Sequence, residues 1–251
     1  MSIWGKILGG AAGFALGGPI GALVGGLAGH AVDVLREDSS PGAPSDAAAE
    51  APDGTRQSAF TIGVIALGAK MAKADGVVTR PEVAAFREIF HVPEGELKNV
   101  AFVFDRAKSD TAGFEVYAAQ VAKLFRGRPN VLEDLLDGLF HIAKADGEVH
   151  QAELRYLAEV ARIFGFDEAA FARIREAHIG PDAADPHAIL GVSRDVDEAG
   201  LKAAWRALVR THHPDTLIAE GMPGEFVAIA NERLARINDA YDRVRRERGW
   251  A

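Results

Sequence analysis

The 251-residue chain has no cysteine. That excludes disulfides, thiolate nucleophiles and thiolate metal sites, and it fits a reducing compartment. The eight histidines show no zinc spacing, and there is neither a P-loop nor a Gly-x-Ser-x-Gly elbow. No catalytic constellation emerges, so the sequence reads as a non-enzyme. Excess positive charge is missing too: the net charge of −8 argues against nucleic acid as a partner of the whole chain. Apolar residues at 48 % and charged residues at 25 % suit a soluble core, and the length allows one large domain or two small ones.

A second absence is local. Between Lys6 and Asp33 no residue is charged, a run of 26 residues. As a helix it would extend about 39 Å, enough for a bilayer core of ~30 Å. Gly9, Gly13, Gly17, Gly21, Gly25 and Gly29 recur every fourth residue and make one helix face nearly bare backbone. Such faces let helices associate in lipid. Length and glycine period favour a single-pass, self-associating membrane helix within residues 1–36, implying contact with membrane lipid and a homodimer. A cleaved signal peptide fits less well, because the run is too long and no small-x-small site ends it. A soluble or membrane-adsorbed glycine segment is the bland alternative, since the run is only weakly hydrophobic. Flanking charge does not orient it, with Lys6 on one side and Arg36, Glu37 and Asp38 on the other.

Residues 37–57 are rich in alanine, proline, serine and acids and lack apolar period, which predicts a disordered linker. From 58 to 181 the pattern is helical, with apolar spacings of three and four over 60–73, 80–91, 94–108, 113–126, 131–144, 151–164 and 168–178. Glycine or proline interrupts each junction, predicting an all-α domain of about seven helices. Within it Ala72-Lys73-Ala74-Asp75-Gly76-Val77-Val78 recurs as Ala143-Lys144-Ala145-Asp146-Gly147-Glu148-Val149, and Glu82 then matches Glu153. If the repeats pack about a pseudo-twofold axis, Asp75, Glu82, Asp146 and Glu153 would converge on a divalent cation through oxygen ligands. The local explanation is a glycine cap followed by a capping box, Thr79 with Glu82. His150 replaces Thr79 in the second copy, where the capping account is weaker. His141, between Phe140 and Ile142, reads as a packed histidine.

The last stretch predicts a helical hairpin. Leu201, Trp205 and Leu208 share a face of one helix, from Asp197 to His212. Phe226, Ala230, Leu234, Ile237, Tyr241 and Val244 share a face of a second, from about Gly224 to Arg246. His213-Pro214-Asp215 falls between them, and Pro214 ends the first helix, so the tripeptide is expected at the tip, in solvent. Lys202, Arg206 and Arg210 stand four apart on the outer face. Charge at that spacing is more often a solvated face than a docking surface.

Asp185-Pro186-His187-Ala188-Ile189-Leu190-Gly191-Val192 before the hairpin and Ile237-Asn238-Asp239-Ala240-Tyr241 late in it alter that balance. With Leu201-Lys202, Trp205-Arg206, Leu208 and the tripeptide, they resemble the J-domain of DnaJ-type co-chaperones over residues 185–251. The resemblance implies that His213, Pro214 and Asp215 trigger ATP hydrolysis in a DnaK-type chaperone, and that Lys202, Arg206 and Arg210 steer the contact. Thr216 stands where the family often has a basic residue, and the family's short last helix is truncated or absent. The central repeat resembles the TerB-like helical domain. The whole arrangement is similar to the DjlA type of membrane-anchored DnaJ-family co-chaperone. That similarity implies a bacterial inner-membrane protein whose C-terminal domains are cytoplasmic, where the partner and its ATP are. The alternative reading is a TerB-type protein that binds metal or senses envelope stress, with the J-domain secondary.

Overall fold

The computed structural model describes Ile20 and residues 53–75, 83–84, 87, 92, 94–109, 113–145, 147, 149–178, 184–220, 222 and 226–250. Among these the chain is all-α, with no strand. Apart from Ile20 the glycine-rich run and residues 37–52 of the expected linker lie outside them, as do the paired acids Glu82 and Asp146.

Helix α1 (Asp53–Asp75) is the axis of the central domain. It starts inside the stretch expected to be linker. Every residue from Phe60 to Met71 is buried. A helix that is apolar all round needs neighbours on every side. Four that pack on it are α2 (Leu97–Ser109), α3 (Phe114–Leu124), α4 (Pro129–Ala143) and α5 (Gln151–Phe164). Gly63 sets one of these approaches, because a Cβ there would stand 2.7 Å from Val121 Cγ2 on α3. Tyr156 on α5 donates its hydroxyl to Leu67 O at 2.8 Å, satisfying a buried phenol. α6 (Glu168–Glu176) follows, capped by Asp167, whose Oδ1 accepts from Ala170 N–H. Ile20 is buried in this domain's core, and its N–H donates to Gln120 Oε1 at 2.9 Å. Among the described residues no helix is long and apolar enough to cross a membrane.

The second repeat has the expected shape at its turn. Gly147 has φ +114°, a conformation that favours glycine. The capping box, for which the sequence account is weaker in this copy, is present. His150 is the N-cap of α5, and Glu153 Oε2 accepts from His150 N–H at 2.8 Å. An imidazole takes the place of the threonine hydroxyl. His141 departs from its expected packed role. Its side chain is partly exposed, and Nδ1 lies 3.4 Å from Glu232 Oε2 of the C-terminal helix.

The hairpin opens with α7 (Pro186–Leu190), followed by α8 (Glu198–Thr211). Asp197 caps α8, its Oδ1 accepting from Gly200 N–H at 2.7 Å. A short helix not foreseen in the sequence, α9 (Pro214–Ala219), precedes α10 (Val227–Arg248). The proline that stops α8 is well suited to start α9, because a first-turn residue needs no N–H partner.

Two cores hold the hairpin. Ile189, Leu190 and Leu201 meet Ile237, Ala240 and Val244 in a small core of its own. The outer face of that junction is zipped by Trp205. Its ring stacks on Tyr241 with centroids 4.6 Å apart, and its Nε1–H donates to Asn238 Oδ1 at 2.8 Å. At the other end Leu217, Met222, Phe226, Ile229 and Ala230 belong to the core of the central domain. Phe226 meets Phe60 edge to face at 4.6 Å. Phe226 and Ala230, expected to line the seam of the hairpin, are thus used for docking instead.

Candidate functional site

His213 holds the N-cap of α9, and its Nδ1 accepts from Asp215 N–H at 3.2 Å. The tripeptide sits at the end of α8 with the His213 side chain 50 % and the Asp215 side chain 89 % exposed. Lys202, Arg206 and Arg210 are all exposed along α8. The helix therefore presents a row of cations leading to an exposed imidazole and carboxylate. A surface of that kind attracts an acidic partner over a distance of about a Debye length.

Immediately behind this surface lies a cluster the sequence reading missed. Glu133, Asp134 and Asp137 are buried on α4. Arg233 of α10, 4 % exposed, pairs with Glu133, with Asp134 at 2.9 Å and with Asp137 at 3.3 Å. Arg236 reaches Asp137 at 3.1 Å, and Arg173 of α6 reaches Glu133 at 2.6 Å. Burial pushes the Glu133 carboxyl up, but Arg233 and Arg173 outweigh it and hold the group below its ordinary value. Asp137 is likewise held low against burial by Arg233 and His178. The Arg233 guanidinium, also penalised by burial, is raised by Asp137, Glu133 and Asp134. His178 Nε2–H donates to Asp137 Oδ1 at 2.6 Å, and its ring stacks on Phe140. Burial drives its pKa down despite that carboxylate.

The signal for this cluster was in the sequence. Three acids spaced 133, 134 and 137 interrupt an otherwise apolar helix, and a buried carboxylate requires a cation. The four acids of the repeat fare differently. Glu153 is buried and committed to the N-cap of α5. Asp75 ends α1, while Glu82 and Asp146 lie outside the described residues. Among the described residues no group of three or more His, Asp and Glu is placed to hold a metal ion.

The described residues thus form an all-α domain with a docked helical hairpin and an exposed His-Pro-Asp corner, the arrangement that the resemblance to J-domain co-chaperones implies. Residues 61–176 match the family described as tellurite resistance protein TerB, and residues 1–51 match the co-chaperone DjlA transmembrane domain. A co-chaperone protein DjlA of Photobacterium profundum is 32 % identical over 276 residues, covering 99 % of this chain and all of the relative. That of Vibrio vulnificus is 31 % identical over 286 residues with both chains fully covered. That of Shewanella oneidensis is 29 % identical over 265 residues, covering 99 % of each. No solved structure matches the chain. The chain belongs to the DjlA family of co-chaperones. Its class is that of a regulator acting with a chaperone, and the match over residues 1–51 indicates membrane anchoring.

Proposed function

We propose that this protein stimulates ATP hydrolysis by a cytoplasmic DnaK-type chaperone from a single-pass anchor in the bacterial inner membrane. The observation that carries the reading is the corner itself: His213 and Asp215 exposed at the end of a helix whose outer face is Lys202, Arg206 and Arg210. The cations supply on-rate and orientation, a contribution that salt screens. The tripeptide supplies the trigger once docked. The N-terminal glycine period, Gly9 to Gly29, lets the anchor pair with a second copy in lipid. With the C-terminal domains on the side of the partner and its nucleotide, clients at the membrane surface come within reach.

The test is the ATPase rate of a purified DnaK-type chaperone with the full chain reconstituted in lipid nanodiscs. Stimulation is expected from the parent chain and none from His213→Gln. No stimulation by the parent chain defeats the proposal. Cation or envelope sensing by the repeat lacks a supporting observation, because Glu153 is committed as a cap.

A further inference from the structure

We propose that the central domain sets the shape of the His213-Pro214-Asp215 turn, with α4 as its buttress and Asn130, Asp134 and Arg233 as positioning residues. The inference rests on the co-chaperone reading above and adds a role for the central domain within it.

Both flanks of the turn are fastened to the central domain. On the α8 side, Asn130 Nδ2 of α4 donates to Thr211 O at 3.2 Å. The next residue, His212, is buried between two carboxylates of the same helix. Its Nδ1 is 3.6 Å from Asp134 Oδ1, and its Nε2 is 3.9 Å from Glu133 Oε2. On the α9 side, Leu217 is fully buried in the central core beside Met222 and Phe226. Between these anchors the turn's own bonds are local. Asp215 N–H reaches His213 Nδ1, Leu217 N–H donates to His213 O at 3.1 Å, and Thr216 Oγ1 donates to Arg210 O at 3.2 Å. A short turn held at both ends has little freedom left in its middle.

The chemistry of the contact suits positioning. Apolar packing alone would tolerate sliding, whereas the Arg233 fork fits Glu133 and Asp134 in one arrangement. Asp134 Oδ2 and His212 Nδ1 are buried with no hydrogen-bond partner among the described residues. A cluster that leaves polar atoms unsatisfied is a poor way to gain stability, since apolar replacement of such clusters is often neutral or better. It is a good way to fix register. Nor does the contact block the docking surface. It lies behind the turn, while His213, Asp215 and the cation row of α8 remain exposed.

The experiment uses the full chain in nanodiscs with a DnaK-type ATPase, comparing parent, Asn130→Ala, Arg233→Met and His213→Gln. The cation row is untouched in the two positioning variants. They should reach a maximal stimulation roughly twofold to thirtyfold below the parent, with the half-stimulating concentration unchanged within about twofold. Because the chain has no cysteine, nitroxides at Ala119→Cys and Ala219→Cys, both exposed positions, report the turn against the central domain. The parent should give one narrow distance distribution, broadened in both variants. If Arg233→Met does not fold, Asn130→Ala decides. Undiminished maximal stimulation in Asn130→Ala or a folded Arg233→Met overturns the inference. So does lost stimulation with the distribution as narrow as in the parent. A silent parent chain defeats the co-chaperone reading instead, and the nitroxide distances still report the buttress.

Discussion

The two ends of the C-terminal hairpin are built from the same two helices but by opposite means. The base, where Leu201 meets Ile237 and Val244, is a private apolar core. The tip is a shared structure in which α9 and the start of α10 sink into the central domain and bury a charged cluster as they do so. A private core depends on neighbours in the same unit. The shared end depends on a surface more than 80 residues earlier, as the Asn130–Thr211 separation of 81 shows. The exposed His213-Pro214-Asp215 turn sits at the dependent end.

The largest expected effect tests that contrast directly. Arg233→Met strands buried carboxylates and should cost about 3–5 kcal/mol in urea unfolding. Leu201→Ala at the base creates a cavity and should cost about 2–5 kcal/mol, with no change in the tip's nitroxide distances. Equal broadening of those distances by Leu201→Ala would erase the distinction between the ends.

Acidification should separate them further. Glu133 and Asp137 titrate below their ordinary values when folded, so their stabilisation is complete above the unfolded values near 4.5 and 3.8 and is lost as pH falls through the folded ones. His178 is also held low, so the unfolded chain takes up its proton first and stability starts to fall below about pH 6.5. All three lie in the cluster behind the tip. Hydrogen exchange from pH 7 to pH 2 should show α4 and the start of α10 opening before the Leu201–Val244 core, with His178 acting first and the two carboxylates below about pH 4.5. The reverse order would contradict the assignment.

Smaller changes sharpen the comparison. Asp197→Ala removes the cap of α8 and should cost about 1 kcal/mol by thermal unfolding. Trp205→Phe loses the bond to Asn238 and should cost about 1 kcal/mol with the stack on Tyr241 kept, measured the same way.

Periodicity made the helices legible. Asp197 to His212 was expected and Glu198–Thr211 is helical, because the Asp197 cap and Pro214 mark both limits locally. The exposed tripeptide and cation row were legible for the same reason. What was not legible depends on partners far along the chain. Phe226 and Ala230 fit the seam pattern equally well, and nothing local says that Phe60 takes one of them. Glu133, Asp134 and Asp137 could have been singled out as misplaced charge, but their cations are a hundred residues later or on α6. α9 is not legible because a proline after a helix signals a stop and a new first turn equally well. At His150 the capping account is weaker from sequence than at Thr79, because imidazole is an uncommon cap, yet Glu153 completes the box.

The double allegiance of α10 bears on how such proteins can be recombined. Its first turns serve one core and its last turns the other. A chimera cut at the sequence boundary near residue 181 would carry Leu217, Met222, Phe226 and Ile229 onto a foreign scaffold as a sticky patch with an unmatched guanidinium beside it. Grafting would succeed only if the recipient brought its own apolar socket and acids.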